Sequence, residues 1–167
     1  MPHHIGIYPG TFDPLHDGHV AFANETLRVC QLDAIYFLPE ATPRNKPQVT
    51  PVDDRIKYIE QQLRSYKNLH VQKLVSSSFT IDQTLPEILQ HFPDAKLTLL
   101  LGSDVALHLV DWPNITQLLA ACNLAIGLRS SHNANDIAKN IATLPRAPHY
   151  TLITTNYAHI SSSQLRD

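Results

Sequence analysis

Short apolar runs alternate along the chain with longer stretches in which apolar residues return every three or four positions. His4–Tyr8 reads as a first strand, and Val20–Val29, apolar at helical spacing, as the helix after it. Ala34–Leu38 is a second strand, ended by Pro39, and Leu69–Val75 a third. Between them, Pro39–Pro51 holds four prolines with Arg44 and Lys46, which is loop composition. Asp53–Tyr66 then reads as a helix capped by Asp53 or Thr50. Ile81–His91 is helical in period, with Pro86 predicting a kink or a restart. Leu97–Leu101 is apolar except for Thr98, the mark of a strand buried on both faces of a parallel sheet. Asp104–Val110 and Ile115–Ala121 read as short helices around Trp112-Pro113. Leu124–Leu128 is a strand, Ala134–Thr143 a helix, and Tyr150–Thr154 the last strand.

This alternation predicts an α/β fold: a doubly wound, mostly parallel sheet with helices on both faces. Its crossovers are right-handed, and its ligands belong at the carboxyl ends of the strands. No repeat, low-complexity stretch or linker divides the chain, so residues 1–167 read as a single domain.

Composition narrows the partners. A net charge of −2 and a pI near 6.5 are unlike a surface that grips a polyanion, so nucleic acid is not expected. A local cluster of His, Lys and Arg still suffices to hold one nucleotide. Cys30 and Cys122 are far apart and in apolar surroundings, so both are expected to be buried, reduced thiols rather than metal ligands. The start of the chain has neither a charged n-region nor a long apolar segment, and no run approaches a membrane span. A cytoplasmic protein without a membrane partner is the expectation, with a homo-oligomer left open.

Candidate chemistry lies at two places. After the first strand comes Pro9-Gly10-Thr11-Phe12-Asp13-Pro14-Leu15-His16-Asp17-Gly18-His19. A turn that leaves a parallel strand and opens a helix is where backbone N–H groups and the helix dipole meet a phosphate. Gly10 and Gly18 allow close backbone approach, with Thr11 and Phe12 in the same turn. His16 and His19 are three apart, so a helical turn sets both rings on one side, where they can donate to developing phosphate charge. Surface histidines beside a helix cap are the bland alternative, and a metal pair lacks a third ligand at clear spacing. Near the other end stands Ile160-Ser161-Ser162-Ser163-Gln164-Leu165-Arg166. Serines that cap a helix, with an arginine one turn on, form an anion site; a serine-rich tail is the alternative.

With these two stretches in this order, the sequence resembles the nucleotidyltransferase (cytidylyltransferase-like) superfamily. Its members share a Rossmann-like domain, a Gly-Thr-Phe-Asp-x-x-His-x-Gly-His signature and an Ile-Ser-Ser-x-x-x-Arg element. The resemblance implies that His16 and His19 bind ATP phosphates and stabilise the transition state, with Thr11 near the phosphates. It also implies that Ser161, Ser162, Ser163 and Arg166 hold the β- and γ-phosphates.

Three further stretches look like the nicotinate-mononucleotide adenylyltransferases within that superfamily. These are Leu99-Leu100-Leu101-Gly102-Ser103-Asp104 followed by Asp111-Trp112, then Ser78-Phe79-Thr80-Ile81-Asp82, and Pro43-Arg44-Asn45-Lys46-Pro47. The implied reaction transfers AMP from ATP to nicotinate mononucleotide, with Mg²⁺ bound mainly through the phosphates and Lys46 neutralising charge. Thr80, Gly102, Asp104, Trp112 and Arg129 would meet the acceptor. Asp104 can accept from ribose hydroxyls or cap a helix, and Trp112 can stack on a pyridine ring or be core.

Some departures keep other readings open. Tyr8-Pro9-Gly10 and the serine triplet are closer to pantetheine-phosphate adenylyltransferase, Asn45 stands where histidine is usual, and Gln83 looks inserted. The chain also ends at Asp167, where relatives usually continue with a C-terminal extension. A nucleotide-binding module without turnover is the alternative of another class.

Overall fold

The computed structural model describes residues 3–43 and 48–157. Six strands alternate with helices: β1 His4–Gly10, α1 Asp17–Val29, β2 Ala34–Pro39, α2 Val52–Gln62, β3 Leu69–Val71, α3 Ile81–His91 and β4 Lys96–Gly102. Then follow α4 Ser103–Ala106, a 3₁₀ turn Leu109–Asp111, α5 Ile115–Ala121, β5 Cys122–Gly127, α6 Ala134–Ala142 and β6 Tyr150–Ile153. The strands lie in the order β3-β2-β1-β4-β5-β6, and each neighbouring pair is parallel. The fold is Rossmann-like α/β. The chain winds outward from β1 through β2 to β3, then returns to β4 beside β1 and winds the other way. The order reverses between β1 and β4, and a crevice opens there at the carboxyl ends of the strands.

Alternate strand residues face opposite layers, which is why the sheet needs helices on both sides. Leu99, Leu101, Leu124 and Ile126 pack with Ile81, Leu85 and Ile88 of α3, Leu118 of α5, and Ile137 of α6. Leu100, Ile35, Phe37 and Ala125 pack on the other face with Phe22 and Ala23 of α1 and Ile59 and Leu63 of α2. Each large side chain fully buried in this way contributes about 1.5–3 kcal/mol relative to exposure.

The structure corrects several limits read from the pattern. The sheet is parallel throughout. β3 stops at Val71, not Val75, because the chain turns off the edge to meet α3. Val75 is 94% exposed, and the N–H groups of Val75 and Ser76 donate to the Glu87 carboxylate at 2.6 and 3.2 Å. α2 ends four residues short of Tyr66 and is capped by neither Asp53 nor Thr50. Its cap is Pro51, without a side-chain hydrogen bond. Asp53 instead pairs with Lys73 at 2.8 Å. α3 runs through Pro86 as one helix. The proline withholds only the hydrogen bond to the Asp82 carbonyl, near the helix start, while Ile81, Leu85 and Ile88 seat the helix on the sheet. The stretch 104–110 is not one helix but α4 and a 3₁₀ turn, with Leu109 fully buried at the start of that turn. Cys122 is buried, but Cys30 is only half-buried.

Candidate functional site

The crevice at the β1/β4 reversal is a cavity of about 720 Å³, the size of a small-ligand site. The end of β1 and the turn after it form one wall, with Tyr8, Pro9, Gly10 and Thr11. Opposite it stand the end of β4 and the turns beyond, with Gly102, Asp104, His108 and Trp112. Glu40 follows β2, and Phe79 to Asp82 open α3; both complete the lining.

Beside the first wall, the start of α1 is built from two histidines. His16 is the N-cap residue, extended at φ −136°, and lies outside the helix rather than on its first turn. Its Nδ1 accepts from the N–H groups of Gly18 and His19 at 3.0 and 3.3 Å. In return, His19 Nδ1 accepts from the His16 N–H at 3.0 Å. This is a capping box made of imidazoles, where a hydroxyl and a carboxylate are usual. The rings stack with centroids 3.6 Å apart and 21° between planes. Because both Nδ1 atoms act as acceptors, the neutral rings carry their protons on Nε2. Burial lowers the His16 pKa; the nearby Arg129 lowers it further, and Asp17 opposes the shift. Neutral imidazoles can stack this closely, whereas two cations would repel. Gly18 makes the arrangement possible: a Cβ there would lie 2.8 Å from His16 Cε1.

The turn between β1 and α1 is braced from below. Arg55 of α2 is 3% exposed and donates to the carbonyls of Thr50 at 2.6 Å, Thr11 at 2.7 Å and Ala41 at 3.3 Å. Burial lowers its pKa, against the fields of Asp13 and Glu40. Asp13, also buried, accepts from the Thr50 N–H at 3.0 Å. The peptide Asp13-Pro14 is cis. One arginine therefore ties the turn after β1 to both flanks of the proline-rich stretch.

The opposite wall is held by longer-range bonds. Ser103 is fully buried; its Oγ accepts from the Arg129 N–H at 3.0 Å and pairs with His132 Nδ1 at 2.6 Å. It thus joins the end of β4 to the loop after β5. A Cβ at Gly102 would meet Asp104 Oδ1 at 2.6 Å, so the missing side chain lets the carboxylate fold back towards the strand end. Thr80 caps α3 by accepting from the Gln83 N–H at 3.3 Å. Thr84 Oγ1 accepts from the Thr80 N–H at 2.9 Å and donates to the Ser78 carbonyl at 3.1 Å. The Phe79 ring lies 6.0 Å from that of Trp112, tilted by 51°. On the first wall, burial pushes the Tyr8 hydroxyl pKa upward, with Asp104 adding to the rise and Arg129 opposing it.

The sequence matches the cytidylyltransferase-like family model over residues 7–167. The chain belongs to the cytidylyltransferase-like family. Two curated relatives are probable nicotinate-nucleotide adenylyltransferases. That of Geobacillus thermodenitrificans is 35% identical over 121 residues, covering 69% of this chain and 56% of the relative. That of Clostridium perfringens is 30% identical over 142 residues, covering 81% of this chain and 69% of the relative. The chain therefore spans little more than half of the first relative's length and about two thirds of the second's. Among solved structures, the Plasmodium falciparum nicotinic acid mononucleotide adenylyltransferase complexed with NaAD superposes with a TM-score of 0.79 at 22% identity. That match covers 98% of this chain and 82% of the other. The same enzyme complexed with APC gives 0.77 at 20% identity, with the same coverage. At these identities the likeness speaks for the fold.

Within this cytidylyltransferase-like fold, six residues expected at the site line the cavity: Gly10, Thr11, Thr80, Gly102, Asp104 and Trp112. His16, Gly18 and His19 stand beside it at the start of α1, with the His19 ring edge-on to Tyr8 at 6.2 Å. Phe12 is 3% exposed. Its ring packs against Tyr8, His19 and Phe37, so only its backbone is left to face a ligand. Asp104 is not a helix cap; Gly102 is the N-cap of α4 and Asp104 its second residue. The Arg129 side chain is not part of the lining, though its charge reaches Tyr8 and His16. Lys46, Arg166, Ser161, Ser162 and Ser163 lie outside the described residues, as do Arg44 and Asn45. Sequence reasoning passed over Arg55, Glu40 and the brace formed by Ser103. Arg55 sits in a helix whose neighbours are mostly charged, so nothing in the pattern marked it as buried.

Proposed function

We propose that this chain transfers the AMP moiety of ATP to nicotinate mononucleotide, producing the deamido dinucleotide and pyrophosphate. The observation that carries the reading is the pairing of two unlike walls around one cavity. The β1 turn and the stacked histidines suit phosphate, and the Phe79–Trp112 pair suits a flat ring. The names of the curated relatives support the same reaction.

In this reading, a phosphate oxygen of the mononucleotide attacks the α-phosphorus of ATP in line. The bond from that phosphorus to the bridging oxygen breaks, and pyrophosphate leaves with the electron pair. Catalysis is positioning plus electrostatic stabilisation, with no covalent enzyme intermediate. The Nε2–H groups of His16 and His19 donate to charge that builds on the α- and β-phosphates. Lys46, Ser162 and Arg166 take further phosphate contacts. Asp104 accepts from ribose hydroxyls, and Trp112 stacks on the pyridine ring. Among the described residues, no three His, Cys, Asp or Glu side chains gather to hold a metal. Mg²⁺ would be held mainly through the ATP phosphates, whose charge it would neutralise.

Among the described residues no helix is long and apolar enough to cross a membrane, and an ATP-consuming reaction fits the cytoplasm. The test is pyrophosphate release from ATP with a panel of acceptors. Release with nicotinate mononucleotide is expected. Release only with phosphopantetheine, or ATP binding without any release, would overturn the reading.

A further inference from the structure

Tyr8 is a polar residue in an apolar nest. Its ring packs on those of Phe12, Phe22 and Phe37, with centroids 5.1, 5.3 and 5.1 Å away. The His19 ring stands edge-on to it at 6.2 Å. The residue is 9% exposed. Phenylalanine would fill the same space with the same ring contacts, so packing alone does not call for the hydroxyl. Burying a hydroxyl without a partner is costly. Yet among the described residues no group hydrogen-bonds to it; Asp104 and Arg129 act on it through their charges alone. No buried side-chain polar atom among the described residues is both sealed from solvent and without a partner. The hydroxyl therefore reaches the open space of the cavity that Tyr8 lines.

Its neighbours say what part of a ligand it would meet. Tyr8 stands near the carboxyl end of β1, packed with Phe22 and Ala23 of α1. The charge of Arg129 reaches both the Tyr8 hydroxyl and His16. The charge of Asp104 reaches the hydroxyl from the opposite wall. The hydroxyl thus lies between the histidine pair, proposed for the ATP phosphates, and Asp104, proposed for a ribose. The span between those two is where the attacking phosphate meets the α-phosphorus. Burial holds the phenol well above its ordinary range, so it keeps its proton and serves as a donor at any pH near neutral.

We propose that the Tyr8 hydroxyl is a catalytic group of this site, donating a hydrogen bond to a non-bridging oxygen on the phosphorus under attack. The inference rests on the proposed adenylyl transfer and leaves its bond changes as they stand. The phenol keeps its proton throughout; its hydrogen bond strengthens as charge gathers on that oxygen. His16 and His19 approach phosphate from the start of α1, and Tyr8 approaches it from the strand itself. A ring wedged among three phenylalanines is already in place before the reaction, so the donor needs no reorganisation.

The experiment uses Tyr8→Phe, which removes the oxygen and keeps the ring. Single-turnover pyrophosphate release, with enzyme in excess over ATP and nicotinate mononucleotide saturating, reads the chemical step. Calorimetry reads ATP affinity, and thermal unfolding reads the fold. The variant is expected to release pyrophosphate about tenfold more slowly, the scale of one hydrogen bond to a charged group. Its ATP affinity should stay within about threefold and its unfolding midpoint within about 4 °C of the wild type. A single-turnover rate within about twofold of the wild type overturns the proposal. So does a loss confined to ATP affinity, which would make the hydroxyl a binding group only. A larger fall in the midpoint, or failure to fold, overturns it too, because the hydroxyl would then have its partner within the fold. Each of these outcomes leaves the adenylyl-transfer reading standing. Absence of pyrophosphate release from the wild type with every acceptor overturns that reading, and this inference with it.

Discussion

The two walls of the cavity are made in different ways. The histidine wall is local: His16, Gly18 and His19 lie within four residues, and each polar group in the box finds its partner there. The wall proposed to hold the ring is assembled from distant segments, with Glu40 just after β2, Phe79 just before α3 and Trp112 just after the 3₁₀ turn. A local wall can form as soon as its helix does. A distributed wall depends on the sheet and on braces such as Arg55, Ser103 and Thr84. The first is therefore expected to fail chemically when a residue is removed, and the second to fail by loosening.

The largest effect on stability should come from the brace that serves both. Arg55→Ala takes the donor from three part-buried carbonyls and empties a buried position, and is expected to cost about 2–4 kcal/mol. Urea denaturation checks this, and a cost below about 1 kcal/mol would mean that the surroundings replace those donors. His19→Ala should lower turnover by roughly a hundredfold, the scale of one preorganised transition-state donor, with His16→Ala behaving similarly. Near-normal turnover in a folded variant would remove the catalytic role from the local wall. A smaller change is expected on the other side. Trp112→Ala should weaken acceptor binding severalfold, since a stacked aromatic pair contributes on the order of 1 kcal/mol, and leave ATP affinity alone. Calorimetry with each ligand separates the two walls; an equal loss for both would erase the division drawn between them.

The smallest effect is on pH dependence. Glu87 is held below its ordinary value near 4.5. Partial burial pushes the other way, but the hydrogen bonds from the Val75 and Ser76 N–H groups and the Ser76 hydroxyl outweigh it. A carboxylate with a depressed folded-state pKa contributes stability above its unfolded value and loses it as the pH falls through the folded one. The wild type should therefore lose this increment below about pH 4.5, and Glu87→Gln should not. Acid melts that run parallel in the two proteins would show that the segment before α3 is anchored otherwise.

The same contrast explains what could be read from sequence. The strands β1 and β4 were legible because unbroken apolar runs have few other places to go in an α/β chain. The histidine pair was legible as a pair, but not as a cap, since imidazoles seldom fill that position. The end of β3 was not legible, because the apolar pattern continues past the point where Lys73 pairs with Asp53 and the Val75 N–H with Glu87. Arg55 was hidden for a related reason. Its burial follows from carbonyls contributed by residues 11, 41 and 50, a coincidence in space that leaves no trace in local pattern. Trp112 was found through its position after a strand end; its neighbour Phe79 was noticed in the right segment without its ring being assigned a part.

The imidazole box also restricts what can be exchanged at its first position. Asparagine, aspartate or serine at residue 16 would cap α1 as well as histidine does, and a selection for folding alone would accept any of them. None would bring a ring nitrogen that carries a proton on its far side while its near side is occupied by Gly18 and His19. In the proposed reaction, helix capping and phosphate contact would thus draw on opposite edges of one ring. A substitution can preserve the scaffold here while silencing the site, so sequences drifting away from activity would be expected to keep α1 intact and change this residue first.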